Sequence, residues 1–76
     1  MGLENLLVEF IGGTPVKREC WRGYWVYKRG NIYMHCADGN VINLLDTQDV
    51  MFTLSGILAK DWEVATKENS ILGEGL

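Results

Sequence analysis

The residues best suited to chemistry in this chain form one cluster of basic and aromatic side chains. It reads Lys17-Arg18-Glu19-Cys20-Trp21-Arg22-Gly23-Tyr24-Trp25-Val26-Tyr27-Lys28-Arg29. An aromatic face can stack on a nucleobase, and an arginine fork can bind two phosphate oxygens at once. The cluster therefore favours binding of a planar anionic ligand. The alternative is packing alone, because alternating aromatic side chains on a strand usually fill a core on one face and pair across strands on the other.

Residue types that commonly catalyse reactions are scarce. Cys20, Cys36 and His35 form the one conventional nucleophile–base set, and His35 and Cys36 would point to opposite faces of a strand. Asp46 and Asp49 could pair as carboxylates, but they fall in a polar segment where acids are usually solvated. We therefore expect no enzymatic activity and no catalytic residue.

The small number of cysteine and histidine residues argues against a metal site and indicates a reducing compartment. Two cysteines and one histidine are poor material for a zinc site, which usually needs four ligands in paired spacing. We expect no metal and no cofactor. The cysteines are also too few for the disulfide framework of a small secreted domain. With no signal-peptide pattern and no apolar stretch near the roughly 18 residues of a membrane span, the sequence predicts a reduced, cytoplasmic protein with no membrane partner.

Length and charge narrow the class of protein further. The chain has 76 residues, enough for one domain, and a domain this small is often stabilised by oligomerisation. The net charge of −3 argues against general nucleic-acid binding. However, residues 15–37 hold five of the seven basic residues and one acid, whereas the remainder holds two basic residues and nine acids. This asymmetry indicates an anionic partner at the basic segment.

The N-terminal segment has helical periodicity over residues 3–11. Gly12-Gly13 follows it and predicts the helix end, since glycine accepts the left-handed conformation after a helix. The predicted inward face consists of Leu3, Leu6, Leu7, Phe10 and Ile11.

Five later segments are typical of strands. They span residues 16–19, 24–28, 32–37, 41–45 and 62–65. Turn residues separate the middle three segments, and Asp38-Gly39 is a strong tight-turn signal. Alternation predicts that Trp25 and Tyr27 share one face of the second strand.

The segment before the last strand is predicted to be helical. We expect a loop over residues 46–49, and residues 50–52 either extend the sheet or pack under it. Thr53 is the predicted N-cap of a helix over residues 54–60, with Leu54, Ile57 and Leu58 facing inward. The fold class is therefore α+β: a small antiparallel sheet, an N-terminal amphipathic helix and a second short helix before the last strand. We expect one domain over residues 1–66 and a flexible C-terminal tail over residues 67–76.

Three segments of the chain resemble one known family. Residues 13–21 match its opening pattern G-x-x-V-x-R-x-x-W, and residues 32–41 are similar to its middle hairpin. Residues 57–64 resemble its closing signature D-L-L-A-x-D-W-E-V. The family is the second type of Thoeris anti-defence protein, and the resemblance covers roughly residues 3–65. This chain departs from the family with Gly56 in place of an acid and Leu44 where an aromatic residue is frequent.

The resemblance implies a phage sponge. Such proteins bind cyclic ADP-ribose-type immune signals, and some bind cyclic dinucleotides, without cleaving them. The family also implies a homo-oligomer, a dimer or tetramer, with the nucleotide-derived ligand held between protomers. A phage-encoded member would work in the host cytoplasm.

The resemblance implies ligand-binding roles for residues that match the family's motif. Arg18 and Trp21 match the opening motif, and we expect Trp21 to stack on a base and Arg18 to contact phosphate. For Trp21 the alternative is packing under the first helix. Tyr24 and Trp25 are neighbouring candidates, and Asn43 could bind a base edge or a ribose. These five residues, Arg18, Trp21, Tyr24, Trp25 and Asn43, are the predicted ligand-binding set.

The closing signature contains two residues that we do not expect to contact the ligand. Asp61 and Trp62 match the signature most closely, but we interpret them as structural, with Trp62 in the core. The first alternative function is a small module that binds a host protein. The second is weak binding of single-stranded nucleic acid, although no stable nucleic-acid partner is expected at this net charge.

Overall fold

The computed structural model describes residues 1–46 and 50–73. They form an α+β domain built on a five-stranded antiparallel sheet with strand order β4-β3-β2-β1-β5, which confirms the predicted fold class. The helices are α1 (Leu7–Ile11), which continues a 3-10 turn (Leu3–Leu6), and α2 (Val50–Leu58). The strands are β1 (Val16–Arg18), β2 (Tyr24–Lys28), β3 (Asn31–His35), β4 (Val41–Asn43) and β5 (Trp62–Val64).

The N-terminal helix is present, but its buried face is narrower than predicted. Leu3, Leu6 and Phe10 are buried, whereas Leu7 is 43% exposed and Ile11 is 61% exposed. The segment Leu3–Leu6 forms a 3-10 helix, in which side chains three residues apart lie on the same side. The helical period used for the prediction was therefore wrong for this turn, and it placed Leu7 and Ile11 on the core face incorrectly.

The glycine pair after α1 ends the helix as predicted. Gly13 has φ +102°, a conformation that side chains with a Cβ rarely adopt. Its N–H donates to the carbonyl oxygen of Phe10 at 3.0 Å, and the N–H of Thr14 donates to that of Glu9 at 2.9 Å. These bonds satisfy the last carbonyl groups of the helix and turn the chain into β1.

The sheet has β1 next to its edge, where it pairs with both β2 and β5. Val16 lies opposite Trp25 on one side and Val64 on the other, and its side chain is fully buried. In the β2–β3 hairpin, Trp25 lies opposite Met34 and Tyr27 lies opposite Ile32. Trp25 belongs to the buried cluster, and the other three pack against it. The predicted shared face of Trp25 and Tyr27 is confirmed.

The second helix corrects two predictions. It begins at Val50, so residues 50–52 are helical rather than an extension of the sheet, and Thr53 lies inside the helix rather than at its N-cap. Its buried positions are the small residues Thr53 and Gly56, with Ile57 half-buried beside them. Leu54 and Leu58, which were predicted to face inward, are exposed. The large indoles of Trp21 and Trp62 pack against this side, and they leave room for small residues only.

The C-terminal segment lies against the opposite face of the sheet. Asn69 donates to Glu63 Oε1 at 3.2 Å, and the N–H of Ile71 donates to the carbonyl oxygen of Arg22 at 2.8 Å. Lys17 lies under this segment with 1% of its side chain exposed, and its Nζ is 2.9 Å from Glu63 Oε1. The flexibility predicted for residues 67–76 stays a prediction, and its last three positions lie outside the described residues, as do residues 47–49 of the predicted loop.

In the described part of the chain, no helix has the length and apolar character that crossing a membrane requires.

Candidate functional site

One hollow of about 490 Å³ opens on the sheet beside α2. We call it the aromatic hollow, because Trp21, Tyr24, Trp25 and Phe52 contribute rings to its lining. The β1–β2 connection forms one wall, the end of β3 forms another, and α2 supplies Phe52 and Thr53. The structure therefore brings together three of the five predicted ligand-binding residues, namely Trp21, Tyr24 and Trp25.

Trp21 is the central side chain of this lining. Its ring lies edge-on to that of Trp62 at 5.2 Å between centroids, and it lies 5.6 Å from that of Trp25. The ring of Phe52 is nearly parallel to it, at 25° and 6.4 Å. Trp21 is only half-buried, so it is both a packing residue and part of the hollow's surface. The helix that the Trp21 ring contacts is α2, not the first helix as the packing alternative expected, and contact with a ligand stays a prediction.

Tyr24 and His35 form a stacked pair in the lining of the aromatic hollow. Their rings lie 4.6 Å apart and 10° from parallel, on directly paired positions of β2 and β3. Partial burial lowers the pKa of His35, because desolvation disfavours the charged imidazolium. The imidazole of His35 is therefore mainly neutral near pH 7.

Gly23 allows the β1–β2 connection to lie close to the end of β3. A Cβ at this position would overlap the carbonyl oxygen of His35 and would lie 3.3 Å from the Cα of Cys36. Glycine is thus required by backbone contact, although the sequence marked this position only as a turn.

We expect Gly23→Ala to destabilise the fold by about 1–3 kcal/mol, because the β1–β2 connection must move away from β3. The matched control is Gly56→Ala, whose Cβ would meet the ring of Trp21 at an ordinary 3.7 Å. This second change should be neutral or stabilising by up to about 1 kcal/mol, since alanine favours helix. Urea denaturation of both variants tests the pair, and equal stabilities would contradict the role assigned to Gly23.

Stability should also depend on the protonation of His35, the single histidine of the chain. The folded-state pKa is lowered from 6.5, so below that pH the unfolded chain binds a proton that the folded chain resists. The free energy of unfolding should therefore decrease as the pH falls from 7.5 to 5.5. In His35→Gln this decrease should disappear. Urea midpoints measured across this range test the prediction, and parallel profiles for both proteins would contradict it.

Further polar groups of the aromatic hollow come from residues that were not predicted to contact the ligand. Arg22 lines the hollow beside the aromatic rings, as do the thiol-bearing Cys20 and Cys36. Burial raises the pKa of the Cys36 thiol, with a smaller contribution from the charge of Asp38. Arg22 lies in the basic cluster, but no spacing rule separated it from its neighbours. Phe52 was missed because its segment was expected to extend the sheet or to pack under it, and not to begin a helix.

Arg18 does not line the aromatic hollow. Its Nε donates to Asp61 Oδ1 at 2.9 Å, and its Nη2 donates to Asp61 Oδ2 at 3.5 Å. This hydrogen bond is the main reason that the pKa of Asp61 is lowered and that of Arg18 is raised. The guanidinium also lies 5.8 Å from the centre of the Trp21 ring. The carboxylate thus occupies the fork that we expected to contact phosphate, and the guanidinium lies within cation–π distance of Trp21.

Asn43 is also outside the hollow. It donates to Asn31 Oδ1 at 3.3 Å and accepts from the N–H of Leu45 at 2.9 Å. These bonds join the end of β4 to β3 and start the 3-10 turn over Leu44–Asp46. The structure therefore does not bring Asn43 to the site formed by Trp21, Tyr24 and Trp25.

Within residues 1–46 and 50–73, no three His, Cys, Asp or Glu side chains come together in a way that could hold a metal ion. Comparison with protein-family models, with curated proteins and with solved structures gave no match for this chain.

Proposed function

We propose that this protein is a phage anti-defence sponge, which binds a nucleotide-derived immune signal in the aromatic hollow and holds it without cleaving it. The observation that supports this most is the lining itself, in which the half-buried indole of Trp21 contacts the rings of Trp25 and Phe52 and Arg22 is part of the wall. Such a lining offers ring faces for a base and a cation for a phosphate.

The size of the hollow fits a ligand of this class. Its volume of about 490 Å³ lies within the roughly 300–1,000 Å³ of small-molecule sites. Stacking of a base on an aromatic side chain contributes about 1–3 kcal/mol, and an arginine can add a charge-assisted hydrogen bond to phosphate. In this proposal Arg22 takes the phosphate role first assigned to Arg18, because Arg22 lines the aromatic hollow and Arg18 does not.

The proposal includes self-association around the ligand. The 3-10 turn over Leu44–Asp46 and the helix α2 expose five large apolar side chains, namely Leu45, Met51, Phe52, Leu54 and Leu58. An apolar surface of this kind marks an interaction site. Because Phe52 belongs both to this surface and to the aromatic hollow, a second copy seated on α2 would also cover the ligand. A dimer or tetramer in the cytoplasm is the form we propose.

The test is isothermal titration of the purified protein with cyclic ADP-ribose isomers and with a panel of cyclic dinucleotides. After binding, the protein is heat-denatured and the released compound is analysed by chromatography and mass spectrometry. We expect tight binding of one compound and its release unchanged. Release of a cleaved product would overturn the sponge, and the absence of heat with every compound would overturn binding of this ligand class.

A host-protein interaction module is the second candidate, and the exposed side chains of α2 favour it. Light scattering during chromatography separates the two. A defined oligomer that binds a compound of the panel supports the sponge. A monomer that binds none of them supports the module.

A further inference from the structure

A second hollow, of about 360 Å³, lies on the face of the sheet that is turned away from the helices. Its lining consists of Val26, Lys28, Arg29, Tyr33 and His35, and we call it the outer hollow. Val26 and Tyr33 are paired across β2 and β3. They alternate with Trp25 and Met34, which pack in the core, and the pleat of the sheet therefore turns them outward.

The two ends of this outer face differ in how they are covered. Next to β5, Lys17 is buried, and Asn69 of the C-terminal segment bonds to its partner Glu63. At the β2–β3 end, Lys28 and Arg29 are exposed, and the rings of Tyr33 and His35 are partly exposed. The lining of the outer hollow thus combines two cationic side chains and two rings, and it includes no carboxylate.

The turn that carries the cations has an unusual residue. Lys28 and Asn31 are paired, so Arg29 and Gly30 form a two-residue hairpin turn with φ +54° and +80°. Asparagine or glycine usually occupies the first of these positions, because other residues adopt positive φ at a cost. In this chain arginine stands there, and backbone strain of this kind is concentrated at binding sites. The turn places the guanidinium beside Lys28 at one end of the outer hollow.

We infer that the outer hollow weakly binds one nucleotide unit of single-stranded nucleic acid, with the phosphate against Lys28 and Arg29 and the base against Tyr33 and His35. An aromatic platform with cations at its end is the chemistry by which proteins bind single strands without sequence preference. Tyr24 stacks behind His35 and orients its ring. The acidic remainder of the chain keeps the binding weak, and the contacts of Lys28 and Arg29 with phosphate make it dependent on salt. His35 lines both hollows, but the other four lining residues of the outer hollow do not line the aromatic hollow, and the inference does not depend on the proposed function.

The experiment is fluorescence anisotropy of a labelled ten-nucleotide oligothymidylate, titrated with the protein at low and at moderate salt. Thymidine monophosphate and a duplex of equal length serve as competitors. We expect the double variant Lys28→Ala/Arg29→Ala to weaken binding and to lower the salt slope by about 0.7 for each phosphate that the variant no longer neutralises. Tyr33→Leu should weaken binding by about tenfold, as expected when a stacking ring is removed.

Matched controls decide whether the position matters. Lys60→Ala/Lys67→Ala removes two exposed cations elsewhere and should leave the affinity unchanged. Equal weakening by both double variants, or no binding of the oligonucleotide at low salt, would overturn the inference. Loss of oligonucleotide binding in Trp21→Leu would also overturn it, because the strand would then occupy the aromatic hollow. If thymidine monophosphate competes as well as the unlabelled oligonucleotide at the same concentration, the ligand of the outer hollow is a free nucleotide. Preference for the strand would identify nucleic acid.

Discussion

Replacement of Trp62 by alanine is expected to remove about 3–5 kcal/mol of stability, as for other buried aromatic residues cut to alanine. Trp62 is 2% exposed, and its ring lies about 5 Å from those of Trp21 and Trp25. Its Nε1 donates to the carbonyl oxygen of Gly56 at 2.8 Å and so ties β5 to α2. A chain of this length has a total stability of only about 4–11 kcal/mol, at about 0.05–0.15 kcal/mol per residue. The variant should be largely unfolded in mild urea.

Two further variants make the Trp62 prediction specific. Trp62→Phe keeps most of the apolar ring but loses the hydrogen bond from Nε1, which costs about 0.5–1.5 kcal/mol, because the carbonyl oxygen of Gly56 still accepts from the N–H of Ala59. Val8→Ala truncates a side chain that is 85% exposed and should change stability by less than about 0.5 kcal/mol. Circular dichroism during urea denaturation ranks the three proteins. A Trp62→Ala protein as stable as Val8→Ala would contradict the packing described for the core.

Replacement of Trp21 by leucine is expected to weaken nucleotide binding by one to two orders of magnitude. Leucine keeps apolar bulk against Trp62 and Gly56 but removes the flat surface on which a base can stack, a loss of about 1–3 kcal/mol. Trp21→Phe should recover part of the affinity, since a smaller ring remains. Titration of both variants with the cyclic ADP-ribose isomers and the cyclic dinucleotides measures the effect.

The control for Trp21 is Tyr27→Leu. Tyr27 also packs against the core, with its ring 6.1 Å from that of Phe10, but it does not line the aromatic hollow. The two leucine variants should therefore lose comparable stability, whereas only Trp21→Leu should lose affinity. Equal affinities for the two variants would show that the ligand does not use the aromatic hollow. Arg18→Lys adds a second check, because a loosened indole should lower affinity without removing any group from the lining.

Much of the fold could be predicted from the sequence, because its signals are local. The β2–β3 hairpin and the turn at Asp38-Gly39 depend on neighbouring residues and on period-2 alternation, and both are present. The burial of Trp62 was also predicted correctly. The basic and aromatic cluster indicated a binding surface, and Trp21, Tyr24 and Trp25 do line one hollow.

The partners of individual site residues could not be predicted in the same way, because they are distant in sequence. Arg18 is 43 residues from Asp61, and only the antiparallel pairing of β1 with β5 brings the two side chains together. Asn43 was expected to bind a ligand, but its hydrogen bonds go to Asn31 and to the next turn. The sequence shows which polar side chains are present, whereas the order of the strands determines which groups they form hydrogen bonds with.

The second helix separates what the sequence determined from what the tertiary structure decided. The sequence determined that a helix precedes β5, since Leu54, Ile57 and Leu58 recur at helical spacing. The same periodicity also predicted that Leu54 and Leu58 would face the core, and that was wrong. The facing surface is made by the large rings of Trp21 and Trp62, and Trp62 needs the carbonyl oxygen of Gly56 within hydrogen-bond distance. Only a side of small residues fits that surface, so the helix turns its large apolar side chains outward.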